Sequence, residues 1–555
     1  MQLPHHKRLS FPCPWLHPLP MFSTRRTFLK QLGLGAGALV LAPSSGFQSA
    51  WAAEVAGLPR STPEAEGVSS AAIQAFIDGL AKNKHEMHSF ILARHGRVIA
   101  EGWWAPYEAK LPHTLYSLSK SFTSTAVGFA AAENLLTVDH DVVSFFPKDL
   151  PEKVSDNLAA LKIKHLLTMS VGSEKEPTHD MVKEQNWVRS FLAHNISHPP
   201  GSVFLYNSAA TYMCSAIVNE VTGQSVLDYL IPRLFEPLGI EEPAWETCPR
   251  GINTGGWGLS LPTEALAKFG QMILQKGQWD GKEIISAEWL EDATKFHIQQ
   301  PEPAKPAKPD PTKPQRPKEK NDWLQGYGYQ FWRCTHKAFR GDGAFGQYMI
   351  VMPEQDAVLA ITSETTNMQG ELDLVWDLLL PGMKPAPLPA NAASQARLQQ
   401  TLASLMLPLP EGKLFSPTAT QVTGKNYKIE DNSLGLDGAS FEFKNDTCTV
   451  TFREGQDEHS VTCGLQGWAR GETDLPGTPP RIISGGAPPP GTDHPVAAMG
   501  RWKDDRTFEM TWRYFETPHH DTVTCQFDGD KVQVSFLASI ERAGTRPVLK
   551  GQVAA

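Results

Sequence analysis

Residues 114–122 read Thr114-Leu115-Tyr116-Ser117-Leu118-Ser119-Lys120-Ser121-Phe122 and open the most apolar, alanine-rich stretch of the chain, which runs to about residue 136. Its pattern predicts a buried helix. Ser117 and Lys120 are three residues apart, so on a helix they share one face. A serine in a first helical turn has backbone N–H groups and the positive end of the helix dipole beside it. Its hydroxyl is a weak nucleophile until a base removes the proton. A lysine held in a dry pocket has a lowered pKa and can be that base. The same four residues also describe a serine cap followed by a solvated lysine. The pair alone leaves both readings open.

Working outward, residues 69–82 predict a helix, and 89–93 and 98–104 two strands turning at Arg94-His95-Gly96-Arg97. Helices are predicted over 161–171, 186–192, 209–221, 225–234, 263–276 and 287–295, with a break at Pro237-Leu238-Gly239. Residues 301–320 hold seven prolines and read as an exposed inserted loop. Strands follow at 326–332, 347–352 and 357–362, the last two turning at Pro353-Glu354-Gln355-Asp356, and then a helix at 370–380. Hairpin-linked strands without βαβ regularity predict an antiparallel sheet flanked by helices, an α+β domain over 53–385. A helix at 393–407 leads into strand-like runs at 440–443, 447–452, 507–514, 522–527 and 532–536. These predict a smaller, mostly-β C-terminal domain over 386–555 with no evident chemistry of its own.

Two more stretches can carry chemistry. Tyr206-Asn207-Ser208 follows a turn and precedes a helix, where a tyrosine can exchange a proton with a leaving group. A capping Asn207 or Ser208 beside a packed Tyr206 fits the same letters. In Gly341-Asp342-Gly343-Ala344-Phe345-Gly346, glycines at a strand let a backbone come close to a substrate. An N–H from that strand can complete an oxyanion hole with the N–H of Ser117. A β-bulge or hairpin corner is the plainer alternative.

Taken in order, the three segments resemble the serine β-lactamase and penicillin-binding-protein superfamily, whose signature includes Ser-x-x-Lys. Leu166-Leu167-Thr168-Met169-Ser170-Val171-Gly172, Phe235-Glu236-Pro237-Leu238-Gly239-Ile240 and Gly255-Gly256-Trp257-Gly258-Leu259-Ser260 strengthen it, over about Glu64 to Gly382. Within that superfamily the chain looks most like the class C β-lactamase-like hydrolases, 6-aminohexanoate-dimer hydrolase and related esterases among them. The resemblance implies an α+β fold with an all-helical subdomain and a reaction without metal or cofactor. It makes Ser117 the acylated nucleophile, Lys120 its base partner and Tyr206 the proton shuttle. Ala344, Gly343, Trp257 and Ser208 become oxyanion or substrate-binding candidates, while Trp187 reads as core. The expected substrate is a small ester, amide or peptide. β-Lactamase or D-Ala-D-Ala-type peptidase activity is one alternative. A catalytically silent cell-wall binder is another.

One departure bears on specificity. The family usually carries Lys or His where this chain has Gly341, so the cation that pairs with a β-lactam or peptide carboxylate is missing from that position. Lys337 or Arg340 replaces it only with a shift of strand register. This ranks ester or amide hydrolysis above β-lactam hydrolysis.

Formal net charge is −9, and the five basic residues of 1–52, unaccompanied by any acid, leave −14 on the remainder. That argues against nucleic acid or an anionic membrane as the main partner. Ser23-Thr24-Arg25-Arg26-Thr27-Phe28-Leu29-Lys30, an apolar stretch to Leu41 and Ala50-Trp51-Ala52 read as a twin-arginine leader, which implies a periplasmic protein. The apolar stretch is about half the ~20 residues a membrane span needs. Met21 just precedes the motif, so residues 1–20 read as an extended leader or an upstream start. Beyond the leader six cysteines remain, in no zinc-binding spacing. Cys448 and Cys463 lie symmetrically about Gly455-Gln456, and a hairpin turning there brings them within disulfide range or leaves two buried thiols. His85-Glu86-Met87-His88 has the wrong spacing for a helical zinc motif. His519-His520-Asp521 reads as a solvated turn.

Overall fold

The computed structural model describes residues 57–302, 316–476, 478–479, 483, 492–540 and 546–554. Residues 1–52, read above as a leader, and most of the Pro/Lys tract lie outside them. A six-stranded sheet organises the first domain: β1 (Glu86–Arg94), β2 (Arg97–Trp103), β3 (Trp332–Arg333), β4 (Phe339–Gly343), β5 (Gln347–Met352) and β6 (Ala357–Glu364), in the order β2-β1-β6-β5-β4-β3. Every pairing is antiparallel, as expected.

Helices cover both faces, so β5 and β6 are buried along almost their whole length. Alternate side chains serve different layers. Phe90, Leu92, Tyr348, Ile350, Leu359 and Ile361 meet Ile73, Phe76 and Leu80 of α1 (Ser70–Lys82). Ile91, Ala93, Met349, Val351 and Ala360 join the core containing α2 (Ser119–Ala132), α3 (Ser208–Thr222) and α4 (Thr263–Leu274). Short helices around α3 form the helical subdomain against α2.

α2 is buried on nearly every side. Its hydroxyl residues use their oxygens to tie neighbouring segments to it. Ser121 Oγ donates to the Gln330 carbonyl (2.9 Å) and Thr123 Oγ1 to Gly255 O (2.9 Å), while Thr125 Oγ1 is satisfied within the helix by Ser121 O (2.9 Å). These bonds are why a polar-looking helix start can sit in a core.

Three expectations are corrected. The helix predicted from 114 begins at Ser119, after a 3₁₀ turn over Tyr116–Leu118, because His113–Thr114 is held as a strand against Leu259–Leu261. The strand predicted over 326–332 shrinks to Trp332–Arg333. Gln330 takes a positive φ of 66° and spends its side-chain amide on the carbonyls of Leu166 and Leu167. His519 and Asp521 are buried, not solvated: His519 contacts Tyr116 and Glu364, and Asp521 accepts from Tyr514.

The C-terminal domain is a barrel. Its strands are β7 (Asn426–Ile429), β8 (Gly438–Lys444), β9 (Thr447–Glu454), β10 (Asp457–Gly464), β11 (Ala469–Thr473), β12 (His494–Trp502), β13 (Thr507–Arg513), β14 (His520–Asp528), β15 (Lys531–Ala538) and β16 (Leu549–Val553). They run β10-β9-β8-β7-β16-β15-β14-β13-β12-β11, and a parallel pairing of β10 with β12 closes the ring. Trp502, Phe508, Trp512 and Phe527 fill it from alternate positions. The hairpin of β9 and β10 sets Cys448 opposite Cys463, as its symmetry predicts. Both are free thiols, and Cys463 Sγ donates to the Cys448 carbonyl at 3.1 Å. The barrel meets the first domain beside β1 and β6, where Arg513 pairs with Glu86 at 2.6 Å. Among the described residues no helix is long and apolar enough to cross a membrane.

Candidate active site

Ser117 sits on the 3₁₀ turn, one step before α2. Tyr116 before it has φ +47°, a backbone that non-glycine residues seldom adopt and that only surrounding contacts maintain. Two bonds secure the turn to the neighbouring strand. Leu115 N donates to Leu259 O (2.9 Å), and Ser119 Oγ donates to Tyr116 O (2.6 Å) while accepting from Leu259 N (3.1 Å). Ser119 thus locks the turn in place, and α2 starts without a side-chain cap.

Lys120, 1% exposed, points back along this face. Its Nζ donates to Ser117 Oγ at 2.9 Å, Ser208 Oγ at 3.0 Å and the Gly256 carbonyl at 2.7 Å. Three neutral acceptors solvate an ammonium poorly compared with water. Burial therefore lowers the pKa from 10.5 to about 7, against the opposing pull of Glu176 and Asp342. Near neutrality a large fraction of Lys120 is the free amine. Gly256 reaches it because a Cβ there would stand 2.8 Å from the Ser208 carbonyl, a space only glycine leaves clear.

Tyr206 lies just outside α3, whose N-terminus Asn207 caps by accepting from Ala210 N at 3.0 Å. The cap reading of this segment therefore holds for Asn207 and leaves Tyr206 free for another task. Its hydroxyl lies close enough to Ser117 for the two to interact, and its ring centroid is 4.9 Å from Lys120 Nζ. Trp332 stacks on it at 5.5 Å, and Tyr327 meets it edge-on at 6.4 Å. Burial, and then the charge of Asp342, push its pKa up, so it is a protonated phenol at neutral pH. Lys120 titrates near neutrality and Tyr206 does not.

β4 runs directly over the serine turn. A Cβ on Gly343 would come 2.0 Å from the Leu115 carbonyl, and one on Gly341 2.7 Å from Ser121 Oγ. Both glycines are needed for this approach of β4 to the turn of Ser117, and Ala344 follows β4 directly. The register of β4 on β5 is unbroken, with Gly341, Asp342 and Gly343 opposite Met349, Tyr348 and Gln347. No shift therefore places Lys337 or Arg340 where Gly341 stands. Lys337 is exposed and bonded to Glu354. Arg340 is buried and pairs with Asp342 at 2.8 Å, with its guanidinium 4.5 Å from the Trp323 ring. Asp342 thus neutralises Arg340 and does not present a bare carboxylate to a substrate. Replacing Asp342 by Ala leaves that guanidinium buried without its counter-ion, so we expect a loss of about 3–5 kcal/mol in urea-induced unfolding.

Trp257 packs in the core. It is 2% exposed and stacks on Trp187 at 5.8 Å within the core, as Trp187 was expected to be. Ser208 is at the site through its bond to Lys120. Sequence reading missed Glu176, whose carboxylate accepts from Ser208 N at 3.0 Å, and the aromatic wall of Trp323, Tyr327 and Trp332. No spacing rule links them to Ser117. They arrive from loops distant in sequence.

An antiparallel sheet between helices, with a serine and a buried lysine facing each other at the start of the central helix, is the arrangement of the β-lactamase and penicillin-binding-protein superfamily. The Beta-lactamase family profile matches residues 73–380, more than half of the chain, and the chain belongs to that family. The 6-aminohexanoate-dimer hydrolase of Paenarthrobacter ureafaciens is 26% identical over 224 residues, 37% of this chain and 56% of that protein. Penicillin-binding protein 4 of Amycolatopsis lactamdurans is 26% identical over 254 residues, 40% of this chain and 63% of that protein. The chain spans less than two thirds of the length of either relative. Among solved structures, the octameric penicillin-binding protein homologue from Pyrococcus abyssi aligns with 87% of this chain and 99% of that chain, at 15% identity and a TM-score of 0.44.

Proposed function

We propose that this protein hydrolyses esters or amides through an acyl-enzyme at Ser117. The observation that carries the reading is the 2.9 Å bond between Lys120 Nζ and Ser117 Oγ in a pocket that disfavours the ammonium form. The free amine takes the Ser117 proton as Oγ attacks the substrate carbonyl carbon. The N–H groups of Ser117 and Ala344 face the oxyanion. Tyr206 gives its proton to the leaving alcohol or amine and recovers one through Lys120. Water then enters, loses a proton to the same pair and releases the acid and Ser117. The aromatic wall of Tyr327 and Trp332 suits an apolar acyl or alcohol group.

Selectivity follows from the missing cation. Arg340 is tied to Asp342, and Glu176 places a carboxylate beside Ser208. Neutral esters are the expected class, ahead of carboxylate-bearing β-lactams. We expect kcat/KM for a nitrophenyl butyrate to exceed that for a penicillin by on the order of a hundredfold. A penicillin turned over equally well overturns the preference. Failure of a fluorophosphonate and a penicillin alike to add mass to the protein favours a silent binder. The reading includes export of the folded protein by the twin-arginine route, supported by the Arg25-Arg26 motif and the Ala50-Trp51-Ala52 cleavage pattern. Fractionation of cells carrying the Arg25→Lys, Arg26→Lys double variant tests it. A protein still found in the periplasm overturns this route.

A further inference from the structure

The barrel reaches the nucleophile turn through the segment between β13 and β14. Glu516 O accepts from Thr114 N (2.9 Å) and Thr114 Oγ1 (3.2 Å), and Thr517 O accepts from Tyr107 Oη (3.2 Å). His519, 1% exposed, enters from this segment. Its Nδ1 is 2.8 Å from Glu364 Oε1, and its Nε2 is 2.5 Å from the Tyr116 hydroxyl. A carboxylate only accepts, so Nδ1 carries the proton. In the neutral ring Nε2 then accepts from Tyr116. The same imidazole meets Phe345 edge-on at 4.9 Å, and Phe345 lies 5.8 Å from Tyr116.

The positions of these two partners matter. Tyr116 immediately precedes Ser117, and Phe345 immediately follows Ala344. Both are non-glycine residues at positive φ, 47° and 67°. Such backbones cost about 1–3 kcal/mol each and persist only where neighbours enforce them. Phe345 is held further by its carbonyl, which accepts from Thr365 N (3.0 Å) and Ser363 Oγ (2.8 Å).

We propose that His519 of the C-terminal barrel is a positioning residue for this site. The bridge Glu364–His519–Tyr116, with Phe345 against the ring, clamps the residue before Ser117 to the residue after Ala344 and so presents their two N–H groups to one oxyanion. This rests on the reading of Ser117 as nucleophile and of Ala344 as oxyanion donor. It makes the barrel a working part of the active site.

The full-length chain carries the test. His519→Ala lowers kcat for nitrophenyl butyrate on the order of 10- to 100-fold with KM within about twofold, while the protein stays folded at assay temperature. His519→Gln can donate to Glu364 and accept from Tyr116, and recovers most of the rate. Tyr116→Phe lowers kcat comparably, and the double variant is no slower than the slower single one, because one bridge is lost only once. A folded His519→Ala variant within twofold of wild type in kcat overturns the proposal. So does a His519→Gln variant as slow as His519→Ala. Imidazole ¹⁵N shifts read the bridge without catalysis. Protonation of neutral His519 at Nε2 instead of Nδ1 overturns it even if the enzyme is active. Absence of a fluorophosphonate adduct on Ser117 in wild type counts against the nucleophile assignment instead.

Discussion

Ser117→Ala abolishes ester hydrolysis. With nitrophenyl butyrate as substrate, kcat is expected to fall by at least about 10³-fold, and the initial burst of nitrophenol to disappear. Lys120, Tyr206 and the oxyanion groups remain, yet none of them is placed to form the acyl bond that Ser117 Oγ forms. What survives is the weak acceleration of water by binding and oxyanion stabilisation. Intact-mass measurement gives an independent reading: wild type gains one fluorophosphonate adduct, and the variant gains none. The hydroxyl is a single small group on a turn secured by Ser119 and Leu259, so the variant is expected to unfold within a few degrees of wild type. Equal turnover by wild type and Ser117→Ala removes the acyl-enzyme from consideration.

Lys120 gives the second large effect, and pH reports it directly. Burial lowers this amine from 10.5 to about 7. Only the free amine can take the Ser117 proton. The acylation rate is therefore expected to fall about tenfold per unit as pH drops below about 7, and to level off above it. Lys120→Ala loses that limb together with about 10³-fold in kcat. Lys120→Arg does not restore it, because a guanidinium stays charged through this range. Stability also falls as pH falls, but over a higher window. A pKa depressed in the folded state means the native protein loses stability as pH falls from 10.5 towards 7, as the unfolded chain takes up the proton first. Lys120→Met is then expected to be inactive and at least as stable as wild type at pH 7, measured by thermal unfolding. A pH profile without a limb near 7, or one retained in Lys120→Ala, assigns the base to another group.

The amino-acid sequence by itself determined that Ser117 and Lys120 meet, and the outline of the sheet beside them. Ser117 and Lys120 are local: a spacing of three puts them on one face of the turn that opens α2, although bonds to Leu259 hold that turn. The same holds for the antiparallel sheet, whose hairpins announce themselves at Arg94-His95-Gly96-Arg97 and Pro353-Glu354-Gln355-Asp356, and for Cys448 opposite Cys463. The missing cation at Gly341 was legible only through the family resemblance, and the register of β4 on β5 then showed that neither Lys337 nor Arg340 stands there. Other features depended on segments far apart in the chain. Trp257 looked like a pocket residue until Trp187 was found stacked on it. Arg340, named as a substitute cation only under a register shift, proves to be closed in by Asp342 and Trp323. His519 looked like part of a polar turn, because nothing nearby in sequence shows that Glu364, 155 residues earlier, and Tyr116, 403 residues earlier, converge on one ring. Periodicity reports which face of an element is apolar. It is silent on which remote side chain will satisfy a buried polar atom, and that is settled only when the barrel packs beside the sheet.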